Sequence, residues 1–121
     1  MCENRRVAVT GIGAVTPVGN TAAETWESMK CGKNGIAPIT LFNTDSMKAK
    51  LAAEVKGFDP KSYLEVDEVL RTDRYAQFAV AAAQQAVTES GVKGTVDPER
   101  FAVLFGTGIG GIGTFEKEHT K

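Results

Sequence analysis

The 121-residue sequence is poor in the side chains that usually betray chemistry. It holds one histidine, one tryptophan and two cysteines. Cys2 and Cys31 cannot build a disulfide framework, and two free thiols in a reducing compartment are expected. With a single histidine, His119, no closed metal site can form without several carboxylates, so neither metal nor cofactor is implied. Aromatic residues make up 7% and are not interleaved with basic clusters, which argues against a base-stacking platform. Fourteen basic against fifteen acidic side chains leave a formal charge of -1, so no global field draws in nucleic acid or an acidic membrane. No apolar run approaches a bilayer's thickness. The short stretch between Arg6 and Gly11 cannot serve as the apolar region of a signal peptide. A cytoplasmic protein without nucleic-acid or membrane partners is expected.

What the chain does have is apolar runs that end in glycine. Val7-Ala8-Val9-Thr10 leads into Gly11-Ile12-Gly13, and Phe101-Ala102-Val103-Leu104-Phe105 leads into Gly106-Thr107-Gly108-Ile109-Gly110-Gly111-Ile112-Gly113. Each reads as a strand buried on both faces that delivers a tight loop to a functional edge. Thr16-Pro17-Val18-Gly19-Asn20 reads as a turn. Thr21-Ala22-Ala23-Glu24 has capping-box spacing and predicts a helix from Ala22 to Lys30 that stops at Gly32. Trp26 and Met29, with Ala22 or Ala23, are expected on its buried face. Lys33 to Thr44 reads as loop, Leu51 to Val55 as a possible strand, and Asp59-Pro60 as the cap of a short helix over Lys61 to Leu64. The strongest periodicity spans Asp73 to Ser90 and closes at Gly91. Tyr75, Phe78, Ala79, Ala82, Ala83, Ala86 and Val87 share a face whose alanines call for a neighbour at short range. A helix-prone polar segment follows Thr114. The whole is an α/β pattern with too few strands to cover its own sheet, so it reads as part of a larger unit.

Most candidate chemistry fails on spacing. A dinucleotide fingerprint at Gly11-Ile12-Gly13 would need its third glycine at Thr16, and Pro17 stands where a helix should start. Gly32-Lys33-Asn34 lacks the hydroxyl of a phosphate loop and follows a helix. Cys31 sits at a helix C-terminus, where the dipole disfavours a thiolate, and its only conceivable base is His119. Residues 65–74 are charged and read as a solvated helix entry, with Arg71 and Arg74 as candidates for an acidic or phosphorylated partner. The loop 106–113, with Ile109 alone among glycines, fits a gate for an apolar substrate.

These motifs carry a resemblance. Arg5 through Asn20, Thr25-Trp26, Gly32-Lys33-Asn34-Gly35-Ile36, Phe58-Asp59-Pro60, Thr72-Asp73-Arg74-Tyr75, Gln77-Phe78-Ala79 and Gly106-Thr107-Gly108-Ile109-Gly110-Gly111 together resemble the opening of the type II 3-oxoacyl-[acyl-carrier-protein] synthases. The resemblance covers essentially the whole chain. It implies a thiolase-like α/β fold with layered αβαβα architecture, of which residues 1–121 form the first portion of the N-terminal half. It implies a homodimeric enzyme that condenses an enzyme-bound acyl chain with malonyl-carrier protein, with loss of CO2. The family's cysteine, two histidines and lysine are implied to lie beyond residue 121, so no catalytic residue is expected in this chain. Ile109, flanked by Gly108 and Gly110, is implied to gate the acyl pocket. The family's basic cluster for the carrier protein is reduced here to Arg71 and Arg74 beside Glu65-Val66-Asp67-Glu68, which weakens docking through this segment. A polyketide ketosynthase or chain-length partner subunit shares the same opening motifs. From another class, a small non-catalytic α/β binding module remains the alternative.

Overall fold

A 17-residue helix, α3 (Arg74–Ser90), organises the chain. It is rich in alanine, and it ends at Gly91 with φ 63°, as the sequence predicts. In the computed structural model, which describes residues 6–121, the other helices are α1 (Ala22–Lys30), α2 (Val66–Arg71) and α4 (Ile112–His119). Single 3-10 turns stand at Pro60–Ser62 and Pro98–Arg100. Two short strands, β1 (Ile36–Pro38) and β2 (Leu51–Ala53), pair antiparallel with Ala37 opposite Ala52. Reading residues 33–44 wholly as loop was therefore incomplete. Pro38 conceals the strand, and it is accommodated because a two-stranded ribbon has only edges. Beside it, the Glu54 carboxylate accepts from the Thr40 hydroxyl (2.7 Å), the Thr40 N–H (2.9 Å) and the Leu41 N–H (3.2 Å). The Thr40 hydroxyl bond leads in holding its pKa below the ordinary 4.5, so this clasp opens only as pH falls through that lowered value.

The neighbour demanded by the α3 alanines is the segment Gly11–Gly13. A Cβ on Gly13 would overlap the Ala82 carbonyl and stand 3.0 Å from the Ala86 nitrogen; one on Gly11 would stand 2.8 Å from the Ser90 nitrogen. Only glycine against alanine permits so close an approach. Polar side chains on α3 secure it. Glu89 accepts from the Ile12 N–H, and Gln85 accepts from the Ala14 N–H at 3.2 Å. Gln85 also donates to the Asn20 carbonyl at 2.8 Å, Gln84 to the Tyr63 carbonyl at 2.9 Å, and Gln77 to the Val69 and Thr72 carbonyls at 3.1 and 3.0 Å. Apolar cover comes from Phe58, stacked with Tyr63 at 6.0 Å and edge-on to Phe78 at 4.9 Å.

The two strands expected at 7–10 and 101–105 are corrected. Neither run joins a ladder among the described residues. Instead of being doubly buried, Val7 is 91% and Leu104 96% exposed. A strand exists only through hydrogen-bonded neighbours, and none stands beside these runs. The expected buried face of α1 is also open, with Trp26 60% exposed. Its capping differs in one detail. Thr21 accepts from the Glu24 N–H at 3.1 Å, but Glu24 reaches back to the N–H of Asn20 rather than of Thr21. The accessible surface totals 10165 Å², whereas a folded monomer of this mass should expose roughly 6,300 Å². Among the described residues, Ala81 is the buried apolar side chain. Arg5 of the opening motif, and Cys2, lie outside the described residues.

Forcing a methyl group between Gly13 and α3 should cost about 1–3 kcal/mol. Gly13→Ala is therefore expected to speed amide exchange at Ile12 and Ala14 by roughly tenfold or more. Gly106→Ala, which meets no atom within 4 Å, should leave both unchanged.

Candidate functional site

The glycine-rich loop closes at the N-terminus of α3. Within it, the Gly110 N–H donates to Thr107 Oγ1 at 3.0 Å, and Gly110 takes φ 69°. That turn carries Ile109 to the apex, 76% exposed. The ring of Tyr75, in the first turn of α3, lies 3.7 Å from where a Gly110 Cβ would stand. A cleft of about 350 Å³ opens here, lined by Tyr75, Ala79, Phe105, Gly106 and Thr107. Its lining is largely apolar, with the Tyr75 and Thr107 hydroxyls as its polar side-chain groups, and suits a hydrocarbon chain.

Gly111 caps α4 and touches Asp73. The Asp73 carboxylate approaches so near that a Cβ at 111 would overlap its Oδ2, and its Oδ1 accepts from the Thr114 hydroxyl. Asp73 is also the N-cap of α3, yet its side chain makes no capping bond there. Sequence reasoning placed Asp73 only at a helix start. Its partner lies 41 residues away, and nothing local signals such a bond.

The two arginines part company. The charged stretch is a helix of its own, α2, in which the Glu65 N–H donates to Glu68 at 3.0 Å and the chain breaks at extended Thr72 (φ −116°, ψ 140°) before α3 begins. Arg71 ends α2 and is exposed. Arg74 begins α3, donates to the Val55 carbonyl at 3.1 Å and lies 5.0 Å above the Phe78 ring, so it has a structural task already. Among the described residues the ion pairs are Lys30–Glu27 and Lys121–Glu118, and neither arginine takes part. Cys31 is the C-cap of α1, as expected, while His119 stacks on Phe115 in α4. Among the described residues no three His, Cys, Asp or Glu side chains gather as a metal site, and no helix is long and apolar enough to cross a membrane.

An α/β chain whose alanine-rich helix seats a Gly-Ile-Gly-Gly loop over an apolar cleft has the features of a ketosynthase fold. Comparison bears this out. The family described as "Beta-ketoacyl synthase, N-terminal domain" matches residues 4–121, and the chain belongs to it. It is 42% identical over 119 residues to the 3-oxoacyl-[acyl-carrier-protein] synthase 2 of Synechocystis sp., covering 98% of this chain and 29% of the relative. It is 40% identical over 118 residues to the synthase 2 of Coxiella burnetii, covering 97% and 28%. Among solved structures, the ishigamide ketosynthase/chain length factor superposes with a TM-score of 0.74 at 27% identity, covering 98% of this chain and 30% of that one. The chain thus spans about 30% of the length of these relatives.

Proposed function

We propose that these residues are the first part of the N-terminal half of a cytoplasmic, homodimeric type II condensing enzyme of fatty-acid synthesis. The reaction is a decarboxylative Claisen condensation. Malonyl-carrier protein loses CO2, the resulting enolate attacks an acyl thioester carbonyl, and the thiolate leaves to give a 3-oxoacyl-carrier protein. The reacting cysteine, histidines and lysine belong to polypeptide after Lys121, and the chain alone is inactive. The uncovered apolar runs at 7–10 and 101–105 support this reading, because they have the composition of central strands and lack the ladders that would make them so.

The observation that carries the functional reading is the Thr107–Gly110 turn, which lifts Ile109 at the edge of an apolar cleft in a chain matched along its length by synthases named 2. Ile109, between Gly108 and Gly110, gates the acyl pocket. In the full-length enzyme, assayed with acyl- and malonyl-carrier protein, Ile109→Ala is expected to reduce discrimination between neighbouring chain lengths by about tenfold. An unchanged product profile would contradict the gate, and turnover by residues 1–121 alone would contradict the incomplete-enzyme reading.

The acyl carrier protein is the proposed macromolecular partner. Of the two arginines, Arg71 is the one available to it, since Arg74 is engaged by Val55 and Phe78. Arg71→Glu should raise the KM for the carrier-protein substrate several-fold with kcat unchanged, an effect that fades at high salt. Unaltered KM at low salt would remove Arg71 from the interface.

A further inference from the structure

The carboxylate of Asp73 has left its usual post. With φ −71° and ψ 156° it occupies the N-cap of α3, where an aspartate ordinarily accepts from the second or third helical N–H. Here the third helical N–H, of Ala76, and the fourth, of Gln77, are served by the Asp73 main-chain carbonyl at 3.0 and 3.1 Å. The side chain turns instead to the start of α4, against Gly111 and onto the Thr114 hydroxyl. Nothing in α4 caps that end, for Gly111 has no side chain to offer. A carboxylate beside an uncapped helix N-terminus is electrostatically favoured. One aspartate thereby ties the N-terminal turn of α4 to the N-cap of α3.

That tie falls at the foot of the loop bearing Ile109. The turn around Ile109 is closed by the Thr107–Gly110 bond, with Gly110 against Tyr75. The downstream half of the loop is held by Asp73 and Thr114. Ile109 stands exposed at the apex of that turn, just before the Asp73 contact at Gly111. We propose that Asp73, through Thr114 and its contact with Gly111, is a positioning residue that sets where Ile109 stands, and so sets chain-length selection in the condensation. The proposal rests on the reading of Ile109 as the gate, but its geometric half can be tested apart from that reading. Gly111 is part of the device, because any side chain there would displace the carboxylate.

The test uses the full-length enzyme and two readouts: amide exchange across residues 107–113, and the product chain-length profile. Thr114→Val removes the hydroxyl while preserving shape and leaves α3 untouched, so it remains informative if Asp73→Ala fails to fold. Thr114→Val is expected to speed exchange in the loop by about tenfold and to loosen chain-length discrimination three- to tenfold, whereas Thr114→Ser keeps both near wild type. Combined with Ile109→Ala, Thr114→Val should add nothing further to the product profile, since both act through one side chain. Unchanged exchange in Thr114→Val and Asp73→Ala would overturn the proposal, as would faster exchange with an unaltered profile in an enzyme whose profile does respond to Ile109→Ala. If exchange accelerates and Ile109→Ala itself leaves the profile unchanged, the tether stands and the gate reading falls.

Discussion

The close approach of Gly11–Gly13 to Ala82 and Ala86 is the contact on which this structure depends. Backbone meets backbone at van der Waals distance only because both surfaces lack side-chain bulk. Once α3 is seated there, its glutamines and Glu89 have fixed targets. Gln85 bonds to Ala14 and Asn20, Gln84 to Tyr63, and Gln77 to the end of α2. Apart from the Val69 carbonyl of α2, each of those carbonyls or amides lies outside the helices and strands. The N-terminus of α3, fixed by the same seating, then presents Tyr75 and Asp73 to the glycine loop. Loop position is thus a consequence of helix position, and helix position of two glycines.

This order of dependence bears on function. A gate for an apolar chain needs one mobile side chain on an otherwise braced loop, since a slack loop would admit any length. The chain supplies bracing on both sides of Ile109 with hydroxyls and one carboxylate, and leaves the tip free. In the proposed enzyme, the nucleophile, base and oxyanion donors of the condensation come from outside this chain. Its apolar runs meanwhile face outward, and its surface is far larger than a self-sufficient domain of this size would show. On the proposed reading, these residues contribute scaffold and selectivity, and the reacting groups belong to the remainder of the enzyme.

What the sequence disclosed follows from how local each feature is. α1, α3 and the Gly91 cap are written in spacing and capping residues within a few positions of each other, and the helix-prone composition from about Thr114 onward falls within α4. The alanine stripe even signalled its close neighbour before that neighbour could be identified. Strand status was not legible in the same way. Val7–Thr10 and 101–105 have strand composition without partners, whereas Ile36–Pro38 has a poor composition and a partner. At the site, the glycine loop and Ile109 were plain from composition. The Asp73–Thr114 tie and the division of labour between Arg71 and Arg74 were hidden, because each depends on groups distant in sequence.

Incompleteness of packing is the central claim, and cooperativity measures it directly. Purified residues 1–121 would be titrated with urea while Trp26 fluorescence, far-ultraviolet circular dichroism and binding of a hydrophobic dye are followed. The account predicts strong dye binding in the absence of urea and a broad, shallow loss of helix that does not coincide with the tryptophan signal. A single sharp transition shared by all probes, from a state that binds no dye, would contradict it.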